Sequence, residues 1–315
     1  MDLRSMAQAA GFAACYVLEP KPYPDLQRRR TDGAVHIHAE HLADDARAAY
    51  PWANAIVLLV HAYRPYAKAL AVSGYYPASN RAYHAANALL GQLTEAGVRA
   101  ERADIPLREA ARQYGIGMEC TSGLLAIPPY GTRVVLQALA VALPSPAYEP
   151  VRPARQCPHC GRCARACPGQ AIGEDGFAHA RCVRAYMDGD AMPTWTMNAM
   201  TALLGCEECQ FCCPLNAGVP VEETLPEAFR LERILSGEIQ PVLALIGKNM
   251  RSGGRITAQA AVMAQKSGRA DLLPLLLPLI DDERPAVQSA ARYAISRLQD
   301  APEQGTIAMP RKAGS

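Results

Sequence analysis

The sequence predicts an α+β protein in three parts, and three observations carry that prediction. Through residues 1–150, short apolar runs alternate with segments of helical period. That is the pattern of helices layered on a sheet, so this part reads as an α/β domain. Residues 151–218 hold nine of the eleven cysteines and form a compact cysteine module. From 219 to 300 only helical periodicity remains, and 301–315 is expected to be a loosely ordered tail.

Taken in order, residues 6–11 read as the end of a short helix and 13–18 as a strand. The run Ala55–Ala62 (AIVLLVHA) is continuously apolar, as a strand covered on both faces should be. Residues 80–96 place Ala85, Leu89, Leu90 and Leu93 at helical spacing, and Gly97 closes the helix. A weak strand follows at 98–103. A helix over 107–114 begins behind Pro106, and 134–143 forms another apolar strand. A Pro- and Arg-rich joint at 145–155 leads into the cysteine module. Beyond it, 231–246 and 257–265 are helical. Residues 272–280 and 286–298 make a pair separated by Asp281-Asp282-Glu283-Arg284-Pro285, which has the look of a HEAT-type repeat.

Composition narrows the function. At 315 residues and 50% hydrophobic, the chain can bury a sizeable core. A net charge of +2 excludes a strongly basic body, so any nucleic-acid contact must come from a local patch. Residues 1–15 lack the apolar core of a secretion signal, and the apolar runs are too short to span a membrane. Many cysteines at metal-ligand spacing point to the reducing cytoplasm, without a disulfide framework. The expectation is a monomer.

The cysteines carry the chemistry. Cys157, Cys160, Cys163 and Cys167 spell Cys-x2-Cys-x2-Cys-x3-Cys-Pro, and a second run follows at Cys206, Cys209 and Cys213-Pro214. Three thiolates at this spacing wrap one iron–sulfur cube, while the fourth is carried to a neighbouring one. Structural zinc prefers two Cys knuckles separated by a longer spacer, which the first three cysteines lack. Two [4Fe–4S] cubes need eight thiolates, and Cys182 between the runs is the natural eighth. The second run could end at Cys212, but Cys213 precedes a proline as Cys167 does. Crossing the ligands gives Cys157, Cys160, Cys163 and Cys213 on one cube, and Cys167, Cys182, Cys206 and Cys209 on the other. Cys15, Cys120 and Cys212 are left over as small buried or spare thiols.

Other constellations say less. Arg152, Arg155, Arg162, Arg165, Arg181 and Arg184 surround the module, where cations could offset cube charge or hold a phosphate backbone. Arg28-Arg29-Arg30 reads as a solvated run. His36, His38 and His41 lack a matching carboxylate pattern and read as ordinary surface residues. Gly115-Ile116-Gly117 opens no dinucleotide fingerprint, so the electrons must end on something other than a nicotinamide or flavin.

Together these stretches resemble the epoxyqueuosine reductase family. The cysteine module has that family's order, including the isolated Cys182 and the Cys-Pro-x-Asn ending at Asn216, and it is shared with reductive dehalogenases. Ala103-Asp104-Ile105-Pro106-Leu107 is similar to the segment holding the family's catalytic aspartate. Tyr114–Gly117, 124–132, Gly74-Tyr75-Tyr76 with Arg81, Tyr83 and His84, and Ile246-Gly247-Lys248-Asn249-Met250 also match. The resemblance implies that 1–150 is a cobalamin-binding-type domain, with Tyr130, Gly131 and Thr132 at the cofactor. It implies a ferredoxin-like double [4Fe–4S] module that takes electrons from a ferredoxin- or flavodoxin-type donor and passes them to cobalamin. The enzyme would deoxygenate epoxyqueuosine in tRNA, held partly by the arginine patches, with Asp104 as general acid. The residues alone instead make Asp104 a helix N-cap. The chain departs from the family at 118–123 (Met-Glu-Cys-Thr-Ser-Gly), where an aromatic residue, a tight glycine and a lysine are replaced.

Overall fold

The computed structural model describes residues 2–31, 40–153, 156–174, 176–189 and 191–300. Arg155, His36, His38 and the tail at 301–315 lie outside the described residues, as do the side chains of Arg29 and Arg30.

Four strands form the N-terminal sheet: β1 (Ala14–Leu18), β2 (Ala55–Ala62), β3 (Ala100–Arg102) and β6 (Val134–Val141), in the order β1-β2-β6-β3. Every pairing is antiparallel, with Leu58 opposite Tyr16 on one side and Ala138 on the other. Strand β2 is buried on both faces, as its unbroken apolar run requires. Val57 and Leu59 meet the Tyr75–Glu95 helix through Ala78, Ala82, Ala86, Leu89 and Leu93. Three alanines at helical spacing let that helix lie close to the sheet. Ile56, Leu58 and Val60 point the other way, onto the Pro24–Thr31 and Leu107–Gln113 helices.

The long helix begins at Tyr75, five residues before the expected start, because Pro77 falls in its first turn, where an amide has no partner to lose. It ends at Gly97 with φ +73. Between the Leu107–Gln113 helix and β6 lies a small hairpin of β4 (Met118–Glu119) and β5 (Leu125–Ala126).

The cysteine module has little regular structure: the Arg162–Ala166 helix, a two-stranded ribbon and the Glu208–Phe211 helix frame its two runs. The segment between the runs does not stand apart. Met187, Met197, Met200 and Leu203 share one core with Val242, Ile246, Ile256 and Val287 of the helices beyond 219. Buried Gln259 ties the two together, accepting from the Leu204 amide at 2.8 Å and donating to the Met187 carbonyl at 2.9 Å.

Two helical expectations shorten. The stretch 231–246 splits into Leu231–Leu235 and Gln240–Ile246 around Gly237, and 272–280 breaks into short turns at Pro274 and Pro278. The Pro285–Gln299 helix packs mainly on the Arg255–Lys266 helix. Among the described residues, no helix is long and apolar enough to cross a membrane.

Candidate iron–sulfur site and adjoining cleft

The fold gathers the cysteines into two groups. Cys163 and Cys213 each lie within electrostatic reach of Cys157 and Cys160. Cys209 faces Cys206, Cys182 and Cys167, and Cys182 is beside both Cys167 and Cys206. All eleven cysteines are free of disulfides. Among the described residues, no three Cys, His, Asp or Glu side chains close on a single-ion site.

The two groups sit in different surroundings. Burial pushes Cys206 up to about 11 and raises Cys209 further. Cys157 is opposite: burial works against ionisation, but the amides of Thr121 and His159 and the side chains of Thr121 and Cys120 hold its thiol below the ordinary value. Cys120 and Cys212, spare on sequence spacing, both adjoin the first group. Cys120 is buried beside Cys157 and Cys213, and Cys212 lies beside Cys163 and Cys213. No spacing rule links Cys120 to a run 37 residues away, so only folding reveals its place.

The second run is tied to the sheet domain by buried polar contacts. Arg133 and Glu207, each with a side chain 2% exposed, form an ion pair at 2.6 Å. Ser73 Oγ and Tyr63 OH donate to the same carboxylate at 3.0 and 3.2 Å, and Phe211 stacks on the guanidinium. Beside it, Asn216 Oδ1 accepts the Thr132 amide at 2.8 Å, while its Nδ2 donates to the Gln210 carbonyl at 2.7 Å. Gly131, at φ +59, must be glycine: a Cβ there would stand 2.1 Å from Asn216 Oδ1 and 2.4 Å from the Leu215 carbonyl. Gly131 and Thr132 are thus engaged by the Cys-Pro-x-Asn loop, and Tyr130 donates to the Ala13 carbonyl at 3.1 Å.

Thr132 also stands at the wall of a cleft of about 440 Å³, on the sheet face away from the long helix. Leu26, Leu42, Ile105, Leu125, Val134 and Leu136 supply an apolar lining, with Tyr75, Glu119 and Arg108 at its edges. Its floor is built by Glu109, whose buried carboxylate accepts the Asp25 and Leu26 amides at 2.8 and 3.0 Å and so caps the Pro24–Thr31 helix. Residues 105–107 line the cleft, and Asp104 precedes them on the loop after β3.

The Asp104 peptide is pinned, its amide donating to Tyr50 OH at 2.8 Å and its carbonyl accepting from Ala43 at 2.7 Å. Its residue is exposed. The capping role fails too: Pro106 is the N-cap and no side chain caps that helix.

The arginines divide. Arg152 pairs with Glu149 and Arg184 with Asp188, whereas Arg162, Arg165 and Arg181 remain exposed. His41 is exposed.

A 4Fe-4S double cluster binding domain matches residues 156–216, spanning both runs. The chain binds two such clusters there. Epoxyqueuosine reductase of Bacillus subtilis is 27% identical over 209 residues, covering 61% of this chain and 53% of that protein. The Listeria monocytogenes enzyme is 25% identical over 217 residues, covering 63% and 55%. The chain is similar in sequence to these epoxyqueuosine reductases. It spans about half the length of the curated relatives it matches. A solved epoxyqueuosine reductase with an epoxyqueuosine-modified tRNA stem loop superposes with a TM-score of 0.76, at 21% identity over 95% of this chain and 90% of that one. Another, with its catalytic aspartate loop swung out of the active site, gives 0.74 at 20% identity, covering 94% of this chain and 89% of that one. The fold is therefore that of an epoxyqueuosine reductase.

Proposed function

We propose that this chain is a reductase of the epoxyqueuosine reductase type, converting epoxyqueuosine in tRNA to queuosine with electrons delivered through two [4Fe–4S] cubes. The observation that carries this reading is the contact between the first cysteine group and the cleft. Strand β4 turns Met118 toward Cys157, and its next residue, Glu119, toward the cleft. The ligand sets are the crossed ones: Cys157, Cys160, Cys163 and Cys213 beside the cleft, and Cys167, Cys182, Cys206 and Cys209 behind it.

Cobalamin fits the cleft's chemistry, since its flat ring needs an apolar wall and the lining supplies one; when bound, it would provide the strongly reducing cobalt that deoxygenation requires. The chain's own residues do the rest. Leu26, Ile105, Val134 and Leu136 exclude water from that wall. Thr132 joins it to the Cys-Pro-x-Asn loop, with Tyr130 and Gly131 setting the turn. Asp104 stands at the rim, where its carboxyl can deliver a proton to a departing oxygen. Exposed Arg162, Arg165 and Arg181 can meet a tRNA backbone. A ferredoxin- or flavodoxin-type donor would reduce the rear cube, in a cytoplasmic monomer.

One feature favours a small-molecule substrate instead: the exposed Glu119 carboxylate at the cleft edge is unfavourable to a polyanion. Anaerobic reconstitution followed by single turnover decides between them. The tRNA reading expects cobalamin uptake and conversion of an epoxyqueuosine stem loop, abolished by Asp104→Asn with both cubes retained. No conversion despite bound cobalamin favours the small molecule. Failure to bind cobalamin while both cubes load would leave only an electron-transfer protein.

A further inference from the structure

Beside the rear cysteine group lies a groove of about 510 Å³ that has no lining residue in common with the cleft. Its walls flank the rear ligands in sequence. Ala166 and Pro168 bracket Cys167, while Glu207 and Glu208 lie between Cys206 and Cys209. The Thr201 hydroxyl, also in the wall, donates to the Cys206 sulfur at 4.0 Å. Both carboxylates are already neutralised, Glu207 by buried Arg133 and Glu208 by Lys68 at 2.6 Å. The cation left over is Lys266. It donates to the Asn198 carbonyl at 2.5 Å and has no carboxylate partner among the described residues.

From Lys266 the surface continues over two more exposed side chains. Asn198 Oδ1 accepts from Tyr293 OH at 2.9 Å, and the Arg297 guanidinium lies over that tyrosine ring at 4.0 Å. Arg297 is exposed, acts electrostatically on Lys266, and likewise has no carboxylate partner among the described residues. Trp195, three residues before Asn198 on the Thr194–Ala199 helix, is 40% exposed. Its ring meets Tyr186 edge-on at 5.2 Å, on the Val183–Met187 helix that starts directly after Cys182. An exposed tryptophan beside two unpaired cations has the composition of a protein contact surface. Two cations are too few to hold a phosphate backbone.

We propose that this face, made of the groove, Trp195, Lys266 and Arg297, is the docking surface for a protein electron donor that is acidic around its own redox centre. An electron crosses from donor to cube without a bond, so the donor has to sit against the rear group, and the groove walls adjoin that group's ligands. The cations steer a negative surface into place, and Trp195 supplies apolar contact once it arrives. The donor loses one electron and the rear cube gains it, with no bond made or broken. Because the cleft shares no wall with this face, donor and substrate can be bound together.

The proposal rests on the two-cube reading of the proposed function. It is tested on the full chain, reconstituted anaerobically with iron and sulfide, by stopped-flow bleaching of the cubes. Two reductants are compared: a reduced acidic flavodoxin, and photoreduced 5-deazariboflavin, which is small and neutral. With flavodoxin the second-order rate constant should fall as salt rises. Lys266→Glu combined with Arg297→Glu should lower it about tenfold at low salt. Trp195→Ala should raise the flavodoxin Kd about tenfold and keep the salt dependence. Iron content and the deazariboflavin rate should hold in every variant. Flavodoxin rates that survive both changes would overturn the proposal, as would equal slowing with the neutral reductant. Weaker binding of an epoxyqueuosine stem loop by the charge-reversed chain, with flavodoxin rates intact, would assign the face to nucleic acid instead. If the wild-type chain does not take up two cubes, the two-cube reading fails and this inference fails with it.

Discussion

The two cysteine groups share one sequence logic and sit in two different environments. The front group, around Cys157, faces the sheet domain, with the Thr121 hydroxyl 3.7 Å from the Cys157 sulfur. The rear group is set into the segment that packs on the C-terminal helices, and burial pushes its Cys206 and Cys209 thiols up. The front group adjoins the cleft through β4, whereas the rear group takes its donors from its own module, the Ala171 amide on Cys167 at 3.2 Å and the Thr201 hydroxyl on Cys206 at 4.0 Å. Equal spacing in a sequence does not give equal electrochemistry, because potential depends on what surrounds the sulfur.

The comparison breaks most severely at the ligands. Cys209→Ala and Cys182→Ala should each remove half the iron and leave the same residual spectrum, and Cys160→Ala should leave the other one. Cys167→Ala decides the partition. Iron analysis and Mössbauer spectra should group it with Cys209→Ala, and a match to Cys160→Ala would mean consecutive rather than crossed ligation.

Next in size is the buried pair that fastens the second run to the sheet domain. Glu207→Ala strands Arg133 in a dry site and should cost about 3–5 kcal/mol in chemical denaturation. Arg133→Met combined with Glu207→Leu should recover most of that loss. If the double variant is as unstable as the single, the pair is not the fastening.

Smaller effects probe the same joint. Gly131→Ala forces a Cβ against the Asn216 side chain at a positive φ and should cost about 2 kcal/mol. Asn216→Ala, which leaves the buried Thr132 amide unpaired, should cost about 1–3 kcal/mol. Both are read from the denaturation midpoint.

The smallest effect concerns the metal-free thiols. A thiol held below its ordinary value is more ionised at neutral pH, and the thiolate is the species that reacts. Iodoacetamide at pH 7.5 should therefore modify Cys157 before Cys206 or Cys209, with the gap narrowing as pH rises toward 11. Peptide mass spectrometry would show equal rates if the two environments were alike.

Legibility followed the range of the interactions. Strand β2 was readable to the residue because six apolar side chains in a row, Ala55 to Val60, leave no other covered arrangement. The start of the long helix was not, since Pro77 interrupts the pattern without interrupting the helix. The break in 272–280 came from two prolines that an apolar count overlooks. Asp104 looked like a cap from its neighbours in sequence, yet Pro106 takes that position and the aspartate stays exposed, just before the cleft-lining residues 105–107.

The cysteine spacing by itself determined that the chain carries a double-cluster module, because a short loop between thiolates restricts which irons they can reach. It could not say what lies next to each sulfur. Cys120, Thr121 and the Arg133–Glu207 pair come from segments distant in sequence, and only tertiary packing brings them to the clusters. Ligand identity is set by a local chain constraint, while ligand environment depends on long-range burial and hydrogen bonding. The first can be read along the sequence, and the second exists only once the chain has folded.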